Sequence, residues 1–379
     1  MSAPVADTTR TGRLSNPRKP DRPTMEDRLI RIAIDAMGGD NAPGVLVEGS
    51  VAAVEAYSDV EITLVGSDAI VSSALTSTLD SVKTSGQSRC DLSSLERRIR
   101  VVHADDVVQM GDSPARAIRT RKNSSIVIAN KLCKSGEVDA VISAGNTGAA
   151  MASSLLYMGR LAGVLRPAIL AIFPSKTNIV SVVDVGANTD CKPEHLYQFG
   201  VMASIFSTHI LGYDNPRVAL LNIGEERGKG NDLTNAAYSL FESSGLNFIG
   251  NIEGRDIFEG KSDVIVCDGF VGNVLLKFGE SAFGFVAHNV RKKVENSFFR
   301  KIGALLLKPA FREIKRDMSP DDYGGAPLLG VDGISIICHG NASPVAIRNA
   351  VKVARRLVLD NMNGQIKMEF SKKSGGKQE

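Results

Sequence analysis

Ile-Arg-Ile-Ala-Ile-Asp-Ala-Met-Gly-Gly-Asp-Asn, residues 30–41, is a short apolar run that breaks into a Gly/Asn-rich turn, with Pro43 near a helix start. The pattern returns at Val138–Ile142 into Ser-Ala-Gly-Asn-Thr-Gly (143–148) and at Ile179–Val183 into Asp-Val-Gly-Ala-Asn-Thr-Asp (184–190). It returns again at Val218–Leu221 into Asn-Ile-Gly-Glu-Glu (222–226), Val264–Val266 into Cys-Asp-Gly-Phe-Val-Gly-Asn (267–273) and Ile334–Ile337 into Cys-His-Gly-Asn-Ala-Ser (338–343). A helix-like stretch follows each turn. Strand–loop–helix repetition predicts an α/β fold, a mostly parallel, doubly wound sheet with helices on both faces. In that architecture the loops leaving the strands gather along one edge, where ligands bind. Six small-residue loops at one crevice read as a site for something phosphate-like.

Composition narrows the class. The chain has 379 residues, 43% of them hydrophobic, enough for a large core. With 45 basic against 42 acidic residues and no Trp, it lacks the charge and the stacking groups of a general nucleic-acid binder. Cys90, Cys133, Cys191, Cys267 and Cys338 are scattered without a CxxC pair, so neither a zinc site nor a disulfide framework is indicated, and a reducing cytosol is the expected setting. No 18-residue apolar run suggests a membrane span. Residues 1–28 read as a disordered leader, 29–365 as one continuous α/β domain, and 366–379 as a solvated basic tail.

The loops differ in what they offer. Gly38 and Gly39 let a backbone approach a ligand beside Asp40, or they simply make a tight turn. Asn146, Thr147 and Gly148 open a helix of small residues, against which a ligand or the sheet can pack closely. Lys192 stands just before Pro193, a first-turn residue, so its charge opposes the helix dipole and asks for an anionic partner. Asp190 or Glu194 would satisfy the same need without any ligand. Lys229 and Asn231 form either an anion grip or a charged surface loop; Asp268 and Asn273 flank two glycines; His339 precedes Ser343-Pro344, a cap and first turn. Cys338-His339 and Cys191 near His195 invite a thiol nucleophile, but strand neighbours point to opposite faces and such cysteines usually fill cores.

Between Arg291 and Arg316, nine Lys and Arg residues meet only Glu295 and Glu313, and Phe298, Phe299, Ile302, Leu305, Leu306, Leu307 and Phe311 are interspersed. Pro309 is expected to break this stretch into a protruding helical hairpin over about 289–317. Phe299, Ile302, Leu305 and Leu306 are the expected contacts with an anionic membrane surface; a dimer contact and a core helix are the alternatives.

Taken in order, Ile-Asp-Ala-Met-Gly-Gly-Asp (34–40), Ile-Ser-Ala-Gly-Asn-Thr-Gly (142–148), Asp-Val-Gly-Ala-Asn (184–188), Lys-Pro-Glu-His (192–195), Phe-Ile-Gly-Asn-Ile-Glu-Gly-Arg-Asp (248–256), Asp-Gly-Phe-Val-Gly-Asn (268–273) and Tyr-Gly-Gly-Ala (323–326) resemble the bacterial acyl-carrier-protein-dependent phosphate acyltransferases of phospholipid synthesis. The resemblance runs from about residue 29 to 360. It implies a three-layer α/β/α sandwich related to phosphotransacetylases and to isocitrate and isopropylmalate dehydrogenases. It implies transfer of a fatty acyl group from acyl carrier protein to inorganic phosphate, and no cofactor or metal. The acyl phosphate would feed a membrane glycerol-3-phosphate acyltransferase, and the protein is expected to be a homodimer, cytoplasmic and peripherally membrane-associated. Lys192 is then the expected phosphate ligand, with Asn188 or Asn146 polarising the thioester carbonyl. Gly38, Gly39, Asp40, Thr147, Gly148, Asn231, Asp268, Asn273 and His339 are the further substrate-binding candidates. Arg116, Arg119, Arg121 and Lys122, after Asp112-Ser-Pro, offer a basic docking face for the acidic carrier, or a self-solvating helix face. An NAD-dependent decarboxylating dehydrogenase is the rival enzyme, although no arginine cluster for its carboxylate substrate is evident; a carrier-binding membrane scaffold is the non-enzymatic rival.

Overall fold

The computed structural model describes residues 28–85, 91–295, 297–317 and 323–375. The chain opens with β1 (Ile30–Asp35), α1 (Gly44–Ala56), β2 (Val60–Gly66), α2 (Asp68–Ser85), α3 (Leu92–Arg97), β3 (Ile99–His103), α4 (Pro114–Thr120), α5 (Ser125–Lys134) and β4 (Ala140–Ser143). It continues with α6 (Thr147–Ser153), β5 (Ala168–Pro174), β6 (Ile179–Val183), α7 (Pro193–Phe206), β7 (Val218–Leu221), α8 (Asp232–Glu242), β8 (Phe248–Ile252) and β9 (Val264–Val266). It closes with α9 (Gly269–Glu295), α10 (Phe298–Asp317), β10 (Ala326–Leu329), β11 (Ile334–Ile337), α12 (Pro344–Leu359) and α13 (Met362–Gly375).

The strands join in one sheet, ordered β3-β2-β1-β4-β11-β10-β5-β6-β9-β7-β8. Their near-continuous apolar runs are those of strands covered on both faces. Along β1, Ile30, Ile32 and Ile34 enter one core with Leu46, Val51, Ile347 and Val351 of α1 and α12. Ala33 points the other way, into a core with Ile126 and Val127 of α5 and Ala149 of α6. Alternate side chains thus fill two helical layers, giving the α/β/α arrangement.

Seven of the ten strand pairings are parallel, as expected. The single edge is not. β10 runs antiparallel to both β11 and β5, and β5 antiparallel to β6. Two blocks of opposite direction result, and loops after β1, β4 and β11 leave the sheet on the opposite edge from those after β6, β7 and β9. Register nevertheless brings some of these loops together. Ile337 stands opposite Ala326, Leu328 opposite Ile169, and Leu170 opposite Val183. The ends of β11 and β6 therefore reach the middle of β5 from opposite directions.

Two further boundaries differ from expectation. Pro309 lies inside α10, and the break falls before Phe298 instead. Proline removes the bond to the carbonyl four residues back, Leu305, and Leu305 is exposed, so water can satisfy that group. The tail expected from 366 is largely helix: α13 crosses that boundary and buries Met362, Ile366 and Phe370, one helical turn apart. Of the expected leader only Arg28 is described, and it pairs with Asp139 at 2.8 Å; residues 1–27 lie outside the described residues.

Candidate active site

Where the two blocks meet, a cavity of 350 Å³ lies over the central strands. Ile169, Ala171 and Phe173, alternate residues of β5, floor it. Leu276 of α9, Phe258 and Val185 add apolar walls. Thr147, Asn273, Lys277, Glu280 and His339 supply polar groups, and Tyr323, Gly325 and Cys338 also line it. Apolar length with a few polar groups suits a ligand that is mostly hydrocarbon.

Asp184, fully buried, organises the loop after β6. Its Oδ1 accepts from the backbone N–H of Ile169 (3.0 Å), Gly186 (3.2 Å) and Ala187 (3.0 Å), and its Oδ2 from the N–H of Asn188 (2.7 Å) and from Asn188 Nδ2 (2.9 Å). Burial pushes this carboxyl above the ordinary aspartate range, and the N–H donors pull it back toward ionisation. The same loop seats α9. Gly269 N–H donates to Asn188 O at 2.7 Å, and a Cβ on Gly269 would meet Asn188 O and Asp184 Oδ2, each at 2.7 Å. Only glycine fits that approach. One turn further on, Asn273 faces both Gly186 and the cavity.

The two asparagines expected to polarise a carbonyl are engaged elsewhere. Asn188 Nδ2 spends its hydrogens on Pro167 O (2.7 Å) and Asp184. Asn146 Oδ1 caps α6 by accepting from Ala149 N–H (3.0 Å), while its Nδ2 donates to Met110 O (2.9 Å) and Asp112 O (3.3 Å). Both side chains hold loops. Thr147, next in sequence to Asn146, reaches the cavity instead.

Gly38, Gly39 and Asp40 do not line the cavity; their loop packs on its neighbours. A Cβ on Gly38 would meet Asp35 Oδ2 at 2.6 Å and Gly145 N at 2.8 Å, and Asp40 N–H donates to Gly340 O at 2.8 Å. Gly148 is likewise pressed on Pro114 of α4. Asn231 caps α8 through Thr234 N–H at 2.9 Å, and Asp268 Oδ1 takes Val271 N–H at 2.9 Å in the first turn of α9. Lys192 is exposed at the start of α7, on the loop that abuts α9, and is not among the cavity-lining residues. His195 Nδ1 accepts the Lys192 N–H at 3.1 Å. His339 Nδ1 likewise accepts the Asn341 N–H at 3.1 Å, which leaves the ring proton on Nε2 as a donor.

The cysteines are poorly suited to nucleophilic catalysis. Burial pushes the Cys191 thiol up to about 12 and the fully buried Cys267 well above its usual value. Among the described residues no group of three His, Cys, Asp or Glu side chains is placed to hold a metal. Sequence reasoning missed the floor on β5, which carries no motif, together with Phe258, Lys277 and Glu280. It also missed Asp35, buried beneath the β1 loop, whose Oδ2 accepts from Ser143 Oγ at 2.8 Å.

Comparison with known proteins finds relatives in sequence and in backbone. The chain is 46% identical over 343 residues to a phosphate acyltransferase of Desulfitobacterium hafniense strain Y51, covering 90% of this chain and 98% of that protein. It is 48% identical over 332 residues to a phosphate acyltransferase of Heliobacterium modesticaldum, covering 88% and 95%. The backbone is similar to an EutD phosphotransacetylase from Staphylococcus aureus, with 14% identity, a TM-score of 0.53, and 87% and 94% of the two chains covered. It is similar also to a branched-chain phosphotransacylase from Enterococcus faecalis V583, with 14% identity, a TM-score of 0.52, and 87% and 99% covered. At such identities these two likenesses show the fold alone. A family profile described as fatty acid synthesis protein matches residues 30–365, and the chain belongs to that family.

Proposed function

We propose that the chain transfers a fatty acyl group from an acyl-carrier thioester to inorganic phosphate, giving acyl phosphate for phospholipid synthesis. The observation that carries this reading is the apolar cavity with polar groups contributed from both sheet blocks. A phosphate oxygen attacks the thioester carbonyl carbon, the C–S bond breaks, and the thiolate leaves on the carrier. Phosphate is already a competent nucleophile near neutral pH, and a thiol of pKa about 8.5 leaves readily. The protein's work is therefore positioning and oxyanion stabilisation.

In this reading the acyl chain lies along Ile169, Ala171, Phe173 and Leu276. Thr147, Asn273 and the Nε2–H of His339 take over the carbonyl-polarising role first expected of Asn188 and Asn146, whose amide hydrogens are engaged. Lys192 holds phosphate where the 184–192 loop meets the first turn of α9. Incubating the protein with acyl carrier protein thioester, with and without phosphate, tests the assignment. Phosphate-dependent loss of thioester with formation of acyl phosphate is expected, and thioester that persists in phosphate would end it.

The finer expectations belong to the same proposal. α9 and α10 form the protruding hairpin, a feature added to a dehydrogenase-like sandwich. Phe299, Ile302, Leu305 and Leu306 are exposed, Phe299 at 84% and Leu306 at 76%. Exposed apolar groups among Lys and Arg suit peripheral contact with anionic lipid, and a homodimer contact can share the surface. Among the described residues α9 alone is long and apolar enough to cross a membrane, contrary to the sequence expectation. Its first half lines the cavity and is bonded to the Asp184 loop, which argues for lying against a membrane rather than spanning it. Such contact would hand acyl phosphate to a membrane glycerol-3-phosphate acyltransferase. Just past α4, Arg121 is taken by Asp112 at 2.6 Å; the exposed Arg116, Arg119 and Lys122 remain for the carrier, near α6, which Thr147 opens.

A further inference from the structure

At the start of β1, β2 and β3 the sheet opens into a second recess, of 250 Å³, where Arg31, Arg97, Arg98 and Arg100 meet Glu61 and Glu137. Four cations stand against two anions, and they are not equivalent. Arg98 is bound to the chain, its Nη1 donating to Tyr57 O at 2.8 Å and its Nε to Ser94 O at 3.4 Å. Arg31 leans on Asp139, with Nη2–Oδ1 at 3.3 Å. Arg100 is held only through Nε, which donates to Oγ1 of the buried Thr63 at 2.8 Å. That bond fixes the guanidinium plane and leaves both terminal amino groups for a ligand. Arg97 makes no side-chain hydrogen bond or ion pair among the described residues. Glu61, half-buried and opposite Arg31 across the β1–β2 pairing, closes on none of the four arginines.

A guanidinium anchored at Nε presents two parallel N–H donors that match the O–P–O edge of a phosphate group. We propose that this recess binds a small phosphate anion, gripped bidentately by Arg100 and covered by Arg97. Glu61 opposes the anion and limits its affinity. The site is separate from the acyl cavity. Arg31 stands at the recess and Asp35, four residues on, near the other end of β1, a span of about 13 Å, so a ligand here would not occupy the acyl site.

Pyrophosphate is the probe, titrated calorimetrically against the full chain at constant ionic strength. Arg100→Gln is expected to weaken binding by about ten-fold or more, the worth of a charge-assisted hydrogen bond. Glu61→Gln is expected to tighten it several-fold, because a like charge is removed. The binding component lost in Arg100→Gln is expected to persist in Lys192→Ala, which separates this site from the phosphate position proposed above. If Arg100→Gln melts early, Arg97→Gln, whose side chain makes no hydrogen bond or ion pair among the described residues, reads the same site. Wild-type titration curves from Arg100→Gln, Arg97→Gln and Glu61→Gln would overturn the proposal, and so would loss of the Arg100-dependent component in Lys192→Ala.

Discussion

Filling the cavity floor should shorten the acyl chain the protein accepts. Ala171 lies on β5 between Ile169 and Phe173, points into the cavity and is nearly buried. Ala171→Leu adds three carbons where, in the proposed mode, hydrocarbon lies. The longest chains would then leave about three methylenes unburied. At about 0.8 kcal/mol each the loss is about 2.4 kcal/mol, or roughly sixty-fold in kcat/KM. Chains too short to reach Ala171 lose nothing, so the two specificity profiles should converge as the acyl chain shortens. The assay is phosphate-dependent thioester loss over a series of acyl carriers of rising chain length. Thermal stability should hold, because the new side chain enters open space rather than a packed core. A uniform fall at every length would mean that Ala171 supports structure instead. An unchanged profile would mean that the acyl chain lies elsewhere.

Lys192→Ala should raise the KM for phosphate while leaving that for the acyl carrier alone; an unaltered phosphate KM would remove Lys192 from the site. Asp35 is buried with Oδ1 unpartnered, and burial pushes its carboxyl above the ordinary value of 3.8. Its protonated form is therefore favoured in the folded state, so its contribution to stability is full at low pH and is lost as pH rises from 3.8 through the folded value. Asp35→Asn should gain on the wild type in urea midpoint as pH rises above 3.8, whereas parallel curves would contradict the buried-carboxyl argument. Leu306→Glu with Phe299→Glu should abolish sedimentation with anionic liposomes and leave turnover of a short-chain thioester intact; retained sedimentation would clear α10 of that role.

What the sequence reveals and what it hides divides by how local the physics is. The six apolar runs were legible because a strand covered on both faces is apolar whichever partners it has. Pro193 and Ser343-Pro344 were legible as helix starts because caps are local, and α7 and α12 begin where they stand. The reversal of the sheet was not. It depends on β5 and β10, two short apolar segments whose direction is set only by the strands beside them. The same limit applies to small-residue loops. Gly38 and Gly269 look alike in sequence, each near a carboxylate and a strand end, and both prove to be points of close backbone contact. An asparagine in such a loop carries the same ambiguity, since capping a helix and polarising a carbonyl use the same amide. Asn146 and Asn188 are committed to backbone partners, while Asn273, no more prominent in sequence, faces the cavity. The deciding quantity is whether the amide's hydrogens are already spent, which follows from what the fold places within hydrogen-bond reach. A candidate asparagine or glycine read from a motif therefore identifies the right loop more reliably than the right atom. In the proposed mode the chemistry passes to the neighbours, from Asn146 to Thr147 and from the Asn188 loop to the first turn of α9 that it holds in place.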